Sequence, residues 1–502
     1  MQRTSLIERT LGVLVVLIII TMPTQWSIDV PMGGWSAVGA GRATAMRIAV
    51  ADGFLAVAFA LWVVWRLFGS DRTTTTWPPL AAFFLVALAF YSVFQAASRT
   101  AALREAVQFV EYFLVAFLIF ANCIRSREQC RSCLHVFVLV TSAIVVYAFV
   151  QYLAADNAMA VCGPFGNRNV LGSYLAISLP VVFALGLYEK RRFLRAAMML
   201  VVLIGCVVTL SGGALIAILL GLLLVAAIHS RRLLLATVVV AVLCLALLPP
   251  IVRHIGGWAP KHHLKILSES LAIQNTASHL VNPERTIEQA KALLEKTPPR
   301  LHRAAMLLNT VPVHALLDRP DVLALMARVK GDLSQSEQYA LAVPDVTARY
   351  KAWQAAANTL ESRFRKDQPV WLRGVGGGNY QDAVNQHYGR GAMEKPDGPD
   401  GFPQFYNLYF DEPDTQNQFL LLAVELGTLG LFAYLWWIGL FVGNAVRGLG
   451  TTSEDRDVAL GVLGGLVGCL VCAVFSPHLI RGVALPLVFL VSILTLTLRS
   501  EP

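Results

Sequence analysis

The chain has 502 residues, of which 56% are hydrophobic and 15% are charged, and its mean hydropathy is +0.59. A soluble domain carries about 25% charged and roughly 45–50% apolar residues. The hydrophobic residues here lie in long uninterrupted runs, and a run of about 17–25 apolar residues can cross the hydrocarbon core of a membrane as a helix. The composition therefore excludes a soluble enzyme and predicts an integral membrane protein.

The formal net charge is +9, from 41 Lys and Arg residues against 32 Asp and Glu residues. No basic run interleaves with aromatic side chains in the manner of a nucleic-acid surface, so no nucleic-acid partner is expected. We expect the basic excess to set the orientation of the chain among membrane lipids.

The hydrophobic runs predict an all-α polytopic membrane protein with about twelve transmembrane helices. In chain order, the runs cover 10–23, 48–68, 78–97, 106–124, 134–153, 169–187, 195–210, 213–228, 233–252, 419–443, 458–475 and 482–498. Ser211-Gly212-Gly213 is expected to separate the seventh and eighth helices. Residues 1–252 thus hold helices 1–9, residues 253–418 form one large loop, and residues 419–502 hold helices 10–12.

Orientation follows from the Lys and Arg residues of the short loops, which are enriched on the cytoplasmic side of membrane proteins. With a cytoplasmic N-terminus, sixteen of these residues lie inside and six lie outside. The six outer residues are Arg42, Arg47, Arg99, Arg104, Arg168 and Arg481. We therefore predict a multi-pass membrane protein with both termini cytoplasmic and the large loop extracytoplasmic.

The large loop has a mostly helical pattern, with helices expected at 283–296, 320–330 and 345–365 and a Gly- and Pro-rich irregular stretch at 389–415. It contains no cysteine, which excludes a disulfide scaffold there. Elsewhere, Cys130-x-x-Cys133 resembles half of a zinc site. A structural zinc site usually needs a second pair at similar spacing, and none follows, so no metal is expected.

Three groups of polar residues lie where a plain membrane anchor would not need them. The first is 163–169, before the sixth helix, and the second is 209–213, between the seventh and eighth helices. The third comprises 349–353, 371–380 and 416–427. All three are predicted on the outer side of the membrane, so the topology alone indicates a shared extracytoplasmic site.

Each group also has a structural interpretation. The asparagines of 163–169 are of a type that caps helix N-termini. The Gly374–Gly378 run lacks the Lys-Ser/Thr of a P-loop, which excludes a nucleotide site, although its backbone N–H groups could face an anionic lipid headgroup. Glu425 is predicted one to two turns inside a membrane helix, where a carboxylate is commonly functional or forms an interfacial ion pair.

The order of spans, the large outer loop and these motifs together resemble the O-antigen ligase and O-antigen polymerase family. Gly163–Asn169 resembles the family's Gly-x-Phe-x-Asn-x-Asn segment. Arg349-x-x-x-Trp353, with Gly374-Val375-Gly376 after it, resembles a second segment that begins Arg-x-x-x-Trp. Asn417-x-Phe419-Leu420, followed by Glu425-x-Gly427, resembles the family's His-Asn-x-Tyr-Leu and Glu-x-Gly.

Members of this family transfer a glycan from an undecaprenyl-diphosphate carrier on the outer face of the inner membrane, in lipopolysaccharide and cell-envelope polysaccharide biosynthesis. The resemblance implies a lipid-diphosphate-linked glycan donor, a glycan, lipid or protein acceptor, and no metal or nucleotide cofactor. It implies catalytic roles for Asp414, Gln416, Asn417 and Glu425. It implies diphosphate or glycan binding by Asn167, Arg168, Asn169, Arg349, Trp353, Arg373, Gly376 and Arg481.

Two positions depart from the family pattern. Gln416 stands where the family has the His associated with acceptor activation, and Gly212 stands where it has an Arg associated with diphosphate binding. A glutamine can orient a hydroxyl group but cannot accept its proton, as a histidine can near neutral pH. Other groups on the same face could replace the base and the positive charge. They are Asp411, Glu412 or Asp414 for the base and Arg168, Arg349, Arg373 and Arg481 for the positive charge.

Two other functions stay open. The two departures suit a divergent family member without transferase activity, which would bind glycan or lipid during envelope assembly. Twelve spans with both termini inside also suit a secondary transporter or flippase. However, nine spans precede the loop and three follow it, and the polar groups lie at the outer boundary rather than at the membrane midplane that transporters use.

Overall fold

The computed structural model of the protein describes residues 6–24, 27–31, 45–68, 74–154, 161–165, 168–209, 211–242, 353–362, 370–384, 417–450, 453–476, 479 and 481–499. The loop segments predicted at 283–296, 320–330 and 389–415 lie outside these residues. Of the segment predicted at 345–365, residues 353–362 are described, and they are helical.

Every predicted hydrophobic run overlaps a helix in the described part of the chain. Before the large loop these are α1 (Leu6–Thr21), α2 (Val50–Phe68), α3 (Leu80–Val93), α4 (Arg99–Phe109), α5 (Phe117–Cys123), α6 (Arg127–Ala154), α7 (Arg168–Tyr188), α8 (Arg192–Val208), α9 (Gly212–His229) and α10 (231–242). The region predicted as the large loop contains three further helices, α11 (353–362), α12 (Val370–Arg373) and α13 (Tyr380–Val384). The helices that overlap the last three runs are α14 (Gln418–Glu425), α15 (Gly427–Gly448), α16 (Ser453–Ala473) and α17 (Arg481–Arg499).

Seven helical segments among the described residues are long and apolar enough to cross a membrane. They are Val50–Phe68, Arg99–Cys123, Arg127–Leu153, Arg168–Tyr188, Gly212–His229, Gly427–Gly448 and Asp455–Ala473. Shorter apolar helices lie at Leu80–Val93 and Val483–Arg499. The chain is therefore an α-helical membrane protein, as its composition predicted. The break expected at 211–213 is also confirmed, because α8 ends at Val208 and α9 begins at Gly212.

One short strand pair departs from the all-helical prediction. β1 (Ser27–Pro31) pairs antiparallel with β2 (Ala45–Ala49) after α1. Ile28-Asp29-Val30 and Met46-Arg47-Ile48 each alternate apolar and charged residues, which is the period of two typical of strands. These runs are so short that the long hydrophobic runs on either side conceal them in the sequence.

The helix of the fourth predicted span is not α-helical throughout. Between α4 and α5, Val110–Ala116 form a π-helical segment. The Phe113 ring lies edge-on to the indole of Trp437, with 4.9 Å between ring centroids. This aromatic contact is one of those that hold the π-helical segment against α15. Nothing in the hydrophobic pattern distinguishes this segment from an ordinary α-helix.

The core of the bundle is formed by α7, α9 and α16, which pack closely against one another. α7 is buried along nearly its whole length. The approach of α16 depends on glycine: a Cβ atom added to Gly468 would lie 2.2 Å from the carbonyl oxygen of Ala176 on α7. Across the interface with α9, a Cβ atom on Gly221 would lie 2.8 Å from the carbonyl oxygen of Gly464. Small residues allow helix backbones to approach in this way within membranes.

Ion pairs join the N-terminal ends of α6 and α16. The guanidinium of Arg131 donates to both carboxylate oxygens of Asp457, one of them at 2.9 Å. Arg127 lies 3.1 Å from the carboxylate of Asp455. Both aspartates are almost completely buried, so removing either arginine would leave a carboxylate poorly solvated.

We expect Arg131→Met to destabilise the protein by about 2–3 kcal/mol, because the buried Asp457 carboxylate loses its bidentate donor. The double variant Arg131→Met/Asp457→Leu should recover most of this loss. Thermal unfolding of the detergent-purified protein measures both. Arg104→Met is the matched control, since the guanidinium of Arg104 is 3.7 Å from Glu105, whose carboxylate is more exposed than that of Asp457, and the pair should contribute less than about 1 kcal/mol. Equal losses in Arg131→Met and Arg104→Met would contradict the prediction.

Candidate functional site

The glycine-rich segment 374–378, called the glycine loop here, closes the C-terminal end of α14. The amides of Val375 and Gly376 donate to the carbonyl oxygens of Val424 and Glu425, each at 2.9 Å. These carbonyls belong to the last turn of a helix, where they have no intrahelical donor. The glycine loop therefore caps α14 from a part of the chain that is distant in sequence.

This cap requires glycine at two positions with left-handed backbone. Gly374 has φ +77° and Gly427 has φ +74°. A Cβ atom on Gly374 would lie 2.2 Å from the carbonyl oxygen of Glu425. The turn at Gly427 also divides the span predicted as continuous over 419–443 into α14 and α15. The sequence prediction was wrong on this point, because the hydrophobic pattern continues through a residue whose φ breaks the helix.

The Glu425 carboxylate fastens the far end of the glycine loop. Its Oε1 accepts a hydrogen bond from the amide of Gly378 at 2.9 Å. Glu425 is about two turns from the start of α14, as expected, but it is the last residue of that helix and is only partly buried. These contacts indicate a positioning role, while a catalytic role for Glu425 stays a prediction.

The same loop is attached to the turn between α3 and α4. Asn379 Oδ1 accepts from the amide of Ser98 at 2.7 Å, and Nδ2 of the same residue donates to the Ser98 carbonyl at 3.3 Å. The Gly377 amide donates to the hydroxyl of Ser92 at 3.4 Å. The four amides from Val375 to Gly378 thus all donate within the chain, so they do not form the anion cradle that the glycine run suggested.

A small hydrophobic cluster brings the pieces of the third motif together. Its buried members are Ala355, Ala356, Val375, Tyr380, Val384 and Val424. They come from α11, the glycine loop, α13 and α14. Because Ala355 and Ala356 belong to this cluster together with Val424, the cluster holds α11 against α14. Trp353 is the first residue of α11 and is partly buried. Residues from 353–362, 370–384 and 417–425 therefore form one packed unit.

The N-terminal end of α14 is fixed by two consecutive polar side chains. Asn417 is the N-cap, and its Oδ1 accepts from the amides of Phe419 at 3.0 Å and Leu420 at 3.1 Å. The buried Gln418 side chain accepts the amide of Leu479 through Oε1 at 3.1 Å. Asn417 thus acts as a helix cap, and its predicted catalytic role stays a prediction. Gln418 ties α14 to the segment that leads into α17.

Gly172, which follows the first motif on α7, packs against the second motif. A Cβ atom on Gly172 would lie 2.5 Å from Cβ of Ala214 and 3.6 Å from Cβ of Ser211. On the other side of α9, a Cβ atom on Gly213 would lie 2.5 Å from Cβ of Phe475 at the end of α16. The α7 start, the α8–α9 hairpin and the α16–α17 connection therefore adjoin one another.

These contacts bring the N-terminal ends of α7, α9, α14 and α17 to one face of the bundle. A helix N-terminus carries roughly half a positive charge from its unpaired N–H groups, and such ends attract phosphates and carboxylates. Arg168 is the first residue of α7 and Arg481 is the first residue of α17. The face therefore combines four helix N-termini of the same sign, two of them on helices that begin with arginine, which suits a multiply charged anion.

The other predicted binding residues differ in their burial and in their contacts. Asn169 is buried in the first turn of α7, where its carbonyl accepts from the Ser173 hydroxyl at 2.9 Å. Arg373 is exposed at the end of α12, with its guanidinium carbon 5.5 Å from the Tyr91 ring centroid. Gly376 is buried in the glycine loop. Four predicted site residues lie outside the described residues, namely Asn167, Arg349, Asp414 and Gln416.

No group of three or more His, Cys, Asp or Glu residues that could hold a metal ion occurs among the described residues. Cys130 and Cys133 are both buried on α6. Their i, i+3 spacing places them about one helical turn apart.

Two contacts and one packing feature were not foreseen from the sequence. Asn379 and Gln418 each make a buried polar contact between segments far apart in the chain, and a single sequence contains no signal for such a pairing. The glycine stripe of α16 does have a signal. Its spacing, small residues at three- and four-residue intervals, is typical of close helix packing in membranes, as seen in Gly461, Gly464, Gly465 and Gly468.

Comparison of the chain with known protein families found no matching family, and comparison with curated proteins found no match.

Proposed function

We propose that the protein has twelve transmembrane spans and transfers a glycan from an undecaprenyl-diphosphate carrier to a glycan, lipid or protein acceptor on the outer face of the inner membrane. The proposal rests on the motif resemblance and on one arrangement in particular. This is the convergence of the α7, α9, α14 and α17 N-termini beside Arg168 and Arg481.

The chemistry of such a transfer matches this arrangement. When the glycosidic bond to the carrier breaks, negative charge accumulates on the departing diphosphate. Preorganised positive groups aimed at developing charge usually make the largest contribution to catalysis. Arginine remains protonated near lipid and offers two parallel donors to phosphate oxygens. Arg168 and Arg481 would hold the diphosphate, with the helix N-termini behind them supplying further positive potential.

Contacts between helix ends support the proposed topology. Arg125, after α5, lies over the Trp65 ring near the end of α2 at 4.3 Å, and Arg127 pairs with Asp455 at the start of α16. The predicted topology assigns all these ends to the cytoplasmic side. Ser98 and Asn379, which bond to each other, both belong to the predicted outer side. Each of these described contacts joins ends that the topology puts on one side.

The acceptor side of the proposal concerns α14. Asn417 caps this helix and the glycine loop closes its other end, so both ends of α14 are held. Its first residue directly follows the Gln416–Asn417 pair. A rigid helix here would position Gln416 to orient the acceptor hydroxyl, and Asp414 would accept its proton.

The decisive experiment uses a strain in which the gene is deleted and then restored in variant form. We expect deletion to accumulate carrier-linked glycan and to reduce its transfer product. Arg168→Ala/Arg481→Ala should lower glycan transfer by about 10²-fold or more. The matched control is Arg66→Ala/Arg447→Ala, which removes the same charge from the predicted cytoplasmic side and should transfer glycan like the wild type.

Unchanged transfer in the Arg168→Ala/Arg481→Ala variant would overturn the assignment of these arginines. Normal glycan and carrier pools in the deletion strain would instead favour the binding protein without transferase activity, or the transporter or flippase. Movement of labelled carrier lipid or solute in proteoliposomes containing the purified protein would separate those two.

A further inference from the structure

Two basic connections lie at the opposite end of the bundle from the candidate site. The α7–α8 connection and the start of α8 contain Lys190, Arg191, Arg192 and Arg195, and the start of α10 contains Arg231 and Arg232. All six side chains are exposed. They are called the basic patch below.

Packing at the ends of α7 and α9 makes the two connections neighbours. The Tyr188 ring at the end of α7 contacts the His229 imidazole at the end of α9, edge to face, with 5.3 Å between centroids. Along their length the two helices pack together in the core of the bundle. The basic side chains that follow Tyr188 and His229 therefore share one surface.

Little negative charge is available to neutralise this surface. Glu189 is the one acidic residue in the segments 189–195 and 229–232. Its Oε1 accepts the amide of Arg191 at 2.9 Å, and its carbonyl oxygen accepts Nε of Arg195 at 3.0 Å. The nearby acidic residues at the start of α16, Asp455 and Asp457, already pair with arginines of α6.

The position of the patch indicates what would neutralise it. It borders the ends of the apolar helices α7 and α9, where the proposed topology expects phospholipid headgroups. Phe193, in the middle of the α7–α8 segment, is 87% exposed, which suits an aromatic ring inserted among headgroups. Clusters of four to eight basic residues beside transmembrane helices bind anionic lipids, and basic sites between helices bind cardiolipin headgroups.

We propose that the basic patch binds an anionic phospholipid, with preference for a headgroup that carries two phosphates. One phosphate would be held by the α7–α8 connection and the other by the start of α10. Arginine guanidinium groups bind phosphate oxygens through paired hydrogen bonds. Because two separate connections contribute, a headgroup with a single phosphate would contact only part of the patch.

The test is lipid binding by the full-length protein, measured by native mass spectrometry after addition of cardiolipin, phosphatidylglycerol or phosphatidylcholine. We expect binding in the order cardiolipin, then phosphatidylglycerol, with phosphatidylcholine weakest. Arg191→Gln/Arg231→Gln removes one charge from each connection. Since each basic residue contributes about fivefold to binding at an anionic surface, this variant should bind cardiolipin on the order of 25-fold more weakly.

Arg66→Gln/Arg447→Gln is the matched control, because it removes two arginines that lie at the ends of other helices. Its cardiolipin binding should equal that of the wild type. Equal loss in both double variants would overturn the proposal, as would equal binding of cardiolipin and phosphatidylcholine. Both variants change residues at helix ends, and an unchanged gel-filtration profile verifies that each remains folded.

Discussion

Replacing Gly468 by alanine is expected to destabilise the helix bundle severely. The added methyl group would lie 2.2 Å from the carbonyl oxygen of Ala176, a backbone atom in the middle of the most buried helix, which cannot rotate away. α16 would have to separate from α7, and it also packs against α9. Overpacking of a tight core costs about 1–3 kcal/mol. We expect the upper end because the neighbours of the added methyl group, the carbonyl groups of Ala176 and Ala217, both belong to the backbone. Thermal unfolding of the detergent-purified protein measures the loss.

Gly443→Ala is the control for this substitution. Gly443 also lies in a membrane helix, α15, but a Cβ atom there would meet nothing within 4 Å. This variant should be as stable as the wild type or slightly more so, since alanine favours helix over glycine by about 1 kcal/mol. If Gly468→Ala and Gly443→Ala unfold at the same temperature, close packing of α16 on α7 does not hold the core together.

Replacing Gly374 by alanine is expected to release the glycine loop from α14. The residue has φ +77°, which costs a non-glycine residue about 1 kcal/mol or more. The new methyl group would in addition lie 2.2 Å from the Glu425 carbonyl oxygen. We expect a loss of about 3 kcal/mol in local stability. The amides of Val375 and Gly376, which donate to α14, should then exchange hydrogen much faster.

Gly378→Ala distinguishes the two causes of the expected loss at Gly374, which are the positive φ angle and the contact with the Glu425 carbonyl oxygen. Gly378 has φ +68°, so its backbone strain on substitution is similar. The nearest atom to a Cβ there is a methyl group, Cβ of Ala101, at 3.2 Å. Hydrogen exchange at Val375 should change little in this variant, with a loss near about 1 kcal/mol. If the two variants gave the same exchange rates, backbone strain alone would explain them and the contact with Glu425 would be unimportant.

Under the proposed function, Gly374→Ala should also lower glycan transfer, because α14 begins directly after Gln416 and Asn417. The loss should exceed that of Gly378→Ala in the same order as the exchange rates. Agreement between the two orders would connect the stability of α14 to the chemistry.

The helices could be predicted from the sequence because a helix that spans a membrane needs a long run of apolar residues. Each apolar run overlaps a helix in the described residues, and the glycine pair after Ser211 begins α9, after α8 has ended at Val208. Two features escaped this reasoning. The break at Gly427 lies within one long hydrophobic run, and the β1–β2 pair is five residues long on each strand. Neither interrupts the hydrophobic pattern that carries the prediction.

The candidate site was predicted less completely than the helices. The motifs around Asn169, Ser211 and Glu425 are adjacent to helix ends as expected, but their partners were not foreseen. The glycine loop has the left-handed residues that its composition predicts. Its amides, however, cap α14 instead of facing a ligand, and Glu425 binds Gly378. Such pairings join segments about 50 residues or more apart, and no local pattern encodes them.

By itself, then, the composition of 56% hydrophobic and 15% charged residues, gathered into runs of about 20 apolar residues, determined that this is a helical membrane protein, because a helix of that length spans lipid with its backbone hydrogen bonds closed within the segment. Charge distribution predicted the sidedness. Only the tertiary structure decided which helices form the core and which N-termini meet. Those choices depend on close contacts, such as Gly468 against Ala176 and Gln418 with Leu479, and close contacts exist only after distant segments have packed.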